Sequence, residues 1–270
     1  MEHNTSRLTS LATVRSQDGT LIAFEPSGYG EPVVLVSGAS TSRSVHNELA
    51  ALLATDFTVM NYDRRGRGDS GDTPPYAIER EIEDLAAVLA ATSGHAAVFG
   101  NSSGAVLALR AAAAGLPIRR LALWEPPFMV DSEALRRAQT YAARLNELLT
   151  ADRRGDAIAL FLSSVGLPEQ MIAGMRNSPT WPVMEAIAPT LAYDAAVMGD
   201  NSVPDEVIAG VSIPTLVLTG DRTGPWADAA AGALTRVMPT ATHRVLADQT
   251  HAVAWDVLAA ELKPYLGGAD

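Results

Sequence analysis

The sequence contains no cysteine. Disulfides, thiolate catalysis and thiolate metal sites are excluded together. Positive charge is also scarce: 20 basic side chains stand against 31 acidic ones, for a formal net charge of −11. That balance argues against nucleic acid or an anionic membrane as a partner. No apolar run approaches the roughly 20 residues of a membrane span. Residues 1–30 are polar and interrupted by glycine and proline, so no signal peptide is visible. Internal repeats and low-complexity linkers are missing too, and no histidine–carboxylate spacing resembles a metal motif. What remains is an ordinary globular composition, with 47% apolar residues in 270. The expectation is a soluble, cytoplasmic protein acting on a small molecule without metal or cofactor. Nothing in the sequence specifies an oligomeric state.

Short β-rich runs alternate with longer helical patterns for most of the length. This rhythm predicts an α/β fold with a mostly parallel sheet covered on both faces. Residues 21–24 read as an early strand in an antiparallel hairpin. Buried strands follow at 32–36 and 57–62, then at 96–99, 121–124, 215–218 and 243–246. Between about residues 128 and 205 only helical patterns occur, at 135–149, 157–165, 169–175 and 183–197. A helical insertion between two sheet strands predicts a cap domain of residues 128–205 over a core of 1–127 and 206–270.

The densest chemical signal is Gly100-Asn101-Ser102-Ser103-Gly104, between an apolar strand and an alanine-rich helix. A Gly-x-Ser-x-Gly in that context is the signature of a nucleophile elbow, in which the serine sits on a sharp, strained turn. The positions two before and two after it must therefore lack bulky side chains. The helix that starts there aims backbone N–H groups and a positive dipole end at charge developing beside the serine. The competing reading is a glycine-rich β-to-α connection with no reactive serine.

A serine hydroxyl is a weak nucleophile and needs a base, itself oriented by a carboxylate. Of five histidines, His3 lies in the tail, His46 in a helix before the elbow, and His95 ahead of the elbow strand. His243 opens a strand, where it packs or faces solvent. His251 sits in a loop past the final strand, in Ala247-Asp248-Gln249-Thr250-His251. It is the candidate base, against the alternative of a surface loop histidine.

With these residues in place the chain resembles an α/β-hydrolase over nearly its whole length. The elbow, the stretch from Asp63 to Ser70 (similar to the family's D-x-x-G-x-G-x-S) and the His251 loop fall in the family's order. The resemblance implies an eight-stranded, mostly parallel sheet with flanking helices and a helical cap. The subgroup it most resembles is the capped bacterial esterases and lactone hydrolases.

The chain departs from the family pattern twice. The family usually places its acid a few residues past the strand after the cap. Here that segment reads Gly220-Asp221-Arg222-Thr223-Gly224-Pro225, with threonine at the usual carboxylate position. Glu125, at the end of the strand following the elbow helix, is the favoured acid and Asp221 the alternative. An ionised glutamate at that buried edge is costly unless paired, and the two prolines after it fix its exit direction. Lactonases that open the macrolactone zearalenone are similar in this earlier acid and in a G-x-S-S-G elbow. For Glu125 the competing role is a structural tie at the cap hinge. The second departure is the oxyanion loop, where Ser37-Gly38-Ala39-Ser40 replaces the family's His-Gly-x. The resemblance implies the backbone N–H groups of Ala39 and Ser103 as oxyanion donors.

Gly38, Trp181, Phe128, Met184 and Tyr193 are the candidate substrate-binding positions, with Met198 nearby and core packing as the competing reading for the large side chains. Trp181, between prolines at a helix start, is the leading candidate. A pocket so lined suits a medium-sized hydrophobic ester or lactone. The same scaffold also serves perhydrolases (cofactor-free haloperoxidases), thioesterases and carbon–carbon bond hydrolases, and a non-catalytic ligand-binding protein is the reading from another class. Dehalogenase and epoxide hydrolase chemistry is disfavoured, because those enzymes carry aspartate at the elbow.

Overall fold

Continuous apolar runs only four to six residues long suit strands buried on both faces, and they form the centre of this molecule. The computed structural model describes residues 10–268; His3 lies outside them. The strands are β1 (Ala12–Arg15), β2 (Leu21–Ser27), β3 (Pro32–Val36), β4 (Thr58–Tyr62), β5 (Ala96–Asn101), β6 (Ile118–Trp124), β7 (Thr215–Gly220) and β8 (Ala241–Leu246). They make one eight-stranded sheet in the order β1-β2-β4-β3-β5-β6-β7-β8. β2 pairs antiparallel with β1 and β4, and every other pairing is parallel. Central β3 and β7 are buried throughout. Edge strands β1 and β8 mix exposed and half-buried positions.

The helices are α1 (Asn47–Leu53), α2 (Ile78–Ala90), α3 (Ser103–Ala113), α4 (Ser132–Thr150), α5 (Arg154–Ser164), α6 (Glu169–Arg176), α7 (Trp181–Ile187), α8 (Leu191–Met198), α9 (Asp205–Ile208), α10 (Pro225–Val237) and α11 (Trp255–Gly267). Alternate strand residues serve opposite faces of the sheet. Val33, Leu35, Phe99 and Trp124 pack with Leu49 and Leu53 of α1 and Leu258 and Leu262 of α11. Val34, Val36, Val98 and Leu123 face the other layer, with Leu85 of α2, Val106 of α3 and Leu234 of α10. The sheet is thus the middle of three layers, and its parallel strands end together along one edge.

Between β6 and β7 the chain carries helices only. They close over a core of their own, built on Leu145, Leu148, Ile158, Leu162 and Trp181, and α8 joins that cluster through Leu191 while also packing on α3. One expectation needs correcting here. Residues 183–197 do not form a single helix: α7 ends at Ile187, a 3₁₀ turn covers Ala188–Thr190, and α8 begins at Leu191. Pro189 accounts for the break, since it lacks an N–H and its ring collides with the carbonyl four residues back. Among the described residues no helix is long and apolar enough to cross a membrane.

Candidate active site

The turn at Ser102 is strained as its glycines require. Ser102 has φ 54° and ψ −127°, a region that residues with a Cβ rarely occupy. A Cβ on Gly100 would lie 2.5 Å from Gly104 O, and one on Gly104 would lie 2.5 Å from Ser37 O. Neither position admits a side chain. The Ser102 N–H is anchored on Trp124 O at 2.9 Å, and Ser102 O accepts the first helical bonds, from Ala105 and Val106. Beside it, Asn101 Oδ1 pairs with His46 Nε2 at 3.0 Å. His46 is fully buried, and burial, against the pull of that bond, lowers its pKa to about 4. It is a neutral structural group.

Ser102, Ala39, Ser103, Phe128, Thr223 and His251 line one cavity of about 990 Å³, roofed by α4, α5 and α8. At its rim the structure joins two residues 126 positions apart: His251 Nδ1 meets Glu125 Oε2 at 2.6 Å. Because an ionised carboxylate only accepts, Nδ1 carries the proton and Nε2 is left as the basic nitrogen. The other carboxylate oxygen, Glu125 Oε1, accepts from Gly220 N at 2.8 Å and from Thr223 Oγ1 at 2.6 Å. Glu125 is wholly buried and, like Ser102, holds a left-handed backbone, with φ 43°. Its three donors satisfy the charge that burial would otherwise make costly.

The loop that presents His251 is braced from several sides. Trp124 Nε1 donates to His251 O at 3.0 Å, and Gln249 Oε1 accepts from Ala254 N at 2.9 Å. The indole of Trp226 stands 5.8 Å from the imidazole, centre to centre. Asp221, the alternative acid, is exposed, and its N–H pairs with Leu246 O on β8. His251 Nδ1 is occupied by Glu125 instead. Of the remaining histidines, His95 is exposed and His243 bonds Thr219 Oγ1 at 2.8 Å.

The candidate substrate-binding residues divide. Phe128 and Met198 line the cavity. Gly38 does not line it but lies against the elbow, where a Cβ would lie 3.2 Å from Asn101 O and from Ser102 Cβ. Trp181, Met184 and Tyr193 do not line it, and their expected positions are corrected here. Trp181 is buried in the insertion's core, its Nε1 on Glu185 Oε1 at 3.0 Å. Met184 packs against the same cluster. Tyr193 stacks on Tyr76 with ring centres 3.9 Å apart and donates to Asp72 Oδ2 at 2.6 Å. Large apolar residues with helical spacing are equally suited to holding the helices to one another, as Trp181 and Met184 do, while Tyr193 ties α8 to the loop ahead of α2.

Behind the elbow lies a cluster of buried charge that sequence reasoning did not find. Asp194 of α8 accepts from Arg64 Nη1 and Ser103 Oγ on one oxygen and from Arg67 Nη2 on the other, each at 2.8 Å. Arg64 also makes a forked pair with Glu81, 2.7 Å on both arms. Burial opposes ionisation of Asp194, but the Arg67 and Arg64 charges outweigh it and hold its carboxyl below the usual range. Arginines in a loop read as solvated, and only their burial reveals them. Thr223 was visible as a departure from the family pattern, and its hydroxyl was the signal: it serves the acid that stands elsewhere.

A family model described as the alpha/beta hydrolase family matches residues 33–257. The chain belongs to that family. It is 36% identical over 95 residues to the uncharacterized hydrolase YraK of Bacillus subtilis, and 36% identical over 106 residues to N-formylmaleamate deformylase of Pseudomonas putida. These matches take in 34% and 37% of the chain, which spans only 35% and 39% of the length of those curated relatives. Whole-length likeness comes from solved structures. An alpha/beta hydrolase from Sphaerobacter thermophilus is 52% identical with a TM-score of 0.86, over 94% of this chain and 99% of that one. A thermophilic esterase from Thermogutta terrifontis has a TM-score of 0.72 at 22% identity, over 96% and 99% of the two chains, a likeness of fold alone.

Proposed function

We propose that the protein is a serine hydrolase that cleaves a carboxylic ester or lactone through an acyl-enzyme on Ser102. The observation that carries this reading is the 2.6 Å bond from His251 Nδ1 to buried Glu125, at the cavity that Ser102 also lines. Ser102 Oγ attacks the carbonyl carbon while His251 Nε2 takes its proton. Glu125 holds the imidazolium by charge and orientation. The N–H groups of Ala39 and Ser103 receive the oxyanion, each worth about 3 kcal/mol in the transition state. As the C–O bond breaks, His251 returns the proton to the leaving alkoxide. Water then gives a proton to His251 and attacks the acyl-enzyme, releasing the acid and restoring Ser102. Every step is served by the protein's own side chains and backbone N–H groups with water, so the reading calls for neither metal nor cofactor.

The division into a core of 1–127 and 206–270 and a cap of 128–205 belongs to this reading, as does a cytoplasmic location. The cap supplies Phe128, Tyr141, Phe161, Leu191 and Met198 to the cavity wall. A largely apolar space of about 990 Å³ supports a hydrophobic substrate larger than a short-chain ester, since ordinary ligand sites run from about 300 to 1,000 Å³. The position of Glu125, similar to that of the zearalenone-type lactonases, supports including ring esters. The test is burst release from p-nitrophenyl esters of graded size and from macrolactones. Activity should climb with apolar bulk and vanish in Ser102→Ala. Undiminished turnover in that variant overturns the assignment of the serine.

A further inference from the structure

Arg67 is buried, with 1% of its surface exposed, yet its Nε has no hydrogen-bond partner. Its guanidinium makes two contacts: Nη2 on Asp194 Oδ2 at 2.8 Å and Nη1 on Gly38 O at 2.7 Å. A buried, incompletely satisfied ion pair is a poor stabilising device, since apolar side chains of similar volume usually do as well or better. The place to look for its use is therefore the carbonyl it grips.

Gly38 O and the N–H of Ala39 belong to one peptide group. In the serine hydrolase reading, on which this inference rests, that N–H is an oxyanion donor. A charge-assisted bond to the carbonyl draws electron density toward oxygen and makes the N–H of the same amide a stronger donor. It also fixes the amide plane, and with it the direction of the N–H. Thr41 Oγ1 adds a second bond to Gly38 O at 2.9 Å. The neighbouring Ser40 turns the chain sharply, with φ 55°, so the loop is held in a conformation that it would not adopt freely. The second donor is arranged in the same way: the Ser103 N–H shares its peptide with Ser102 O, which accepts from Ala105 and Val106. For Ser103 a helix does the work. For Ala39, in a loop that lacks the family's histidine, Arg67 does.

Asp194 completes the device. It comes from α8, which packs on α3, and its other oxygen takes the Ser103 hydroxyl. One carboxylate of the helical insertion thus reaches Ser103 directly and the Gly38–Ala39 peptide through Arg67. We propose that Arg67, anchored by Asp194, polarises and orients the peptide joining Gly38 to Ala39 so that the Ala39 N–H meets the oxyanion. Both are positioning residues: they act through that peptide, and the helical insertion must be seated for the donor to be aimed.

The test compares Arg67→Met, Arg67→Lys and Asp194→Asn with the unaltered protein. Measured are kcat and KM on a p-nitrophenyl ester, affinity for an aryl trifluoromethyl ketone that mimics the tetrahedral state, and affinity for the ester's non-hydrolysable ether analogue. Arg67→Met should lower kcat about tenfold, part of the roughly hundredfold or greater loss that follows removal of a whole donor. Affinity for the ketone should fall by the same factor, while KM and ether binding stay unchanged. Arg67→Lys, which keeps one charged donor, should recover part of the loss, and Asp194→Asn should show a smaller loss of the same kind. Should Arg67→Met fail to fold, Asp194→Asn decides alone. Unchanged kcat in the folded variants, or an equal fall in ketone and ether binding, overturns the proposal. Labelling of Ser102 by a fluorophosphonate in the unaltered protein separates the two failures. Without it the serine hydrolase reading itself is wrong; with it, only the role of Arg67 is.

Discussion

Glu125 and Asp194 are both buried carboxylates, each one hydrogen bond from a side chain that lines the cavity, yet the first has neutral partners and the second cationic ones. Around Glu125 stand a backbone amide, a threonine hydroxyl and an imidazole. Around Asp194 stand two guanidinium groups and a serine hydroxyl. The negative charge of Glu125 is stabilised by neutral donors and stays available to a proton arriving on His251. That of Asp194 is already matched by fixed cations, so it can hold geometry but has little left to offer a transient charge. In the serine hydrolase reading, then, burial alone does not mark the acid; the charge of its partners does.

The largest expected effect breaks this comparison if it fails. Glu125→Gln should lower kcat by about three to four powers of ten, as loss of the orienting carboxylate does in serine hydrolases, against less than about tenfold for Asp194→Asn. Steady-state rates on one ester suffice, and reversed ranks would exchange the two roles. Asp221→Asn belongs in the same series and should be nearly silent.

A stability measurement separates the site from the helices above it. Trp181→Ala should cost about 3–5 kcal/mol, as truncation of a buried aromatic does, read from denaturant unfolding. Fluorophosphonate labelling of Ser102 in the folded fraction should be unaffected, since Trp181 lies in the insertion's core. Slower labelling would return that residue to the substrate site.

Acid should dismantle the two supports of the elbow in sequence. The folded pKa of His46 lies below its unfolded value of 6.5, at about 4. Its contribution is complete above pH 6.5 and is lost as the unfolded chain takes up a proton between those values, about 3 kcal/mol in all. Asp194 is lowered from 3.8, so its contribution is present above that value and disappears only in stronger acid. Stability read from melting curves should fall more steeply with acid in the unaltered protein than in His46→Gln between pH 6.5 and 4, with matching slopes above and below that window. The smallest effect concerns the acid's neutral donor. Thr223→Val should cost about 1–2 kcal/mol of stability and lower kcat by less than Glu125→Gln.

How far the sequence could be read depended on the range of the forces involved. The sheet was legible because a strand buried on both faces is an apolar run wherever it lies. The turn at Ser102 was legible because the glycines it needs are two residues away on either side. The break at Pro189 was equally local and was overlooked in a long apolar pattern. Trp181 had no such local marker: an apolar ring at a helix start suits a pocket and a core alike.

By itself, then, the sequence determined the backbone of the elbow, the alternation that builds the sheet, and a short set of carboxylates and histidines from which a site could be assembled. Tertiary structure alone decided the pairings. It set Glu125 rather than Asp221 against His251, turned Thr223 into a donor for that glutamate, and buried Arg64 and Arg67 against Asp194. The reason is physical. Backbone strain and apolar periodicity act over a few residues, whereas the partner of a buried charge is chosen by whichever side chain the fold brings within about 3 Å, in these pairings from 98 to 130 positions away along the chain.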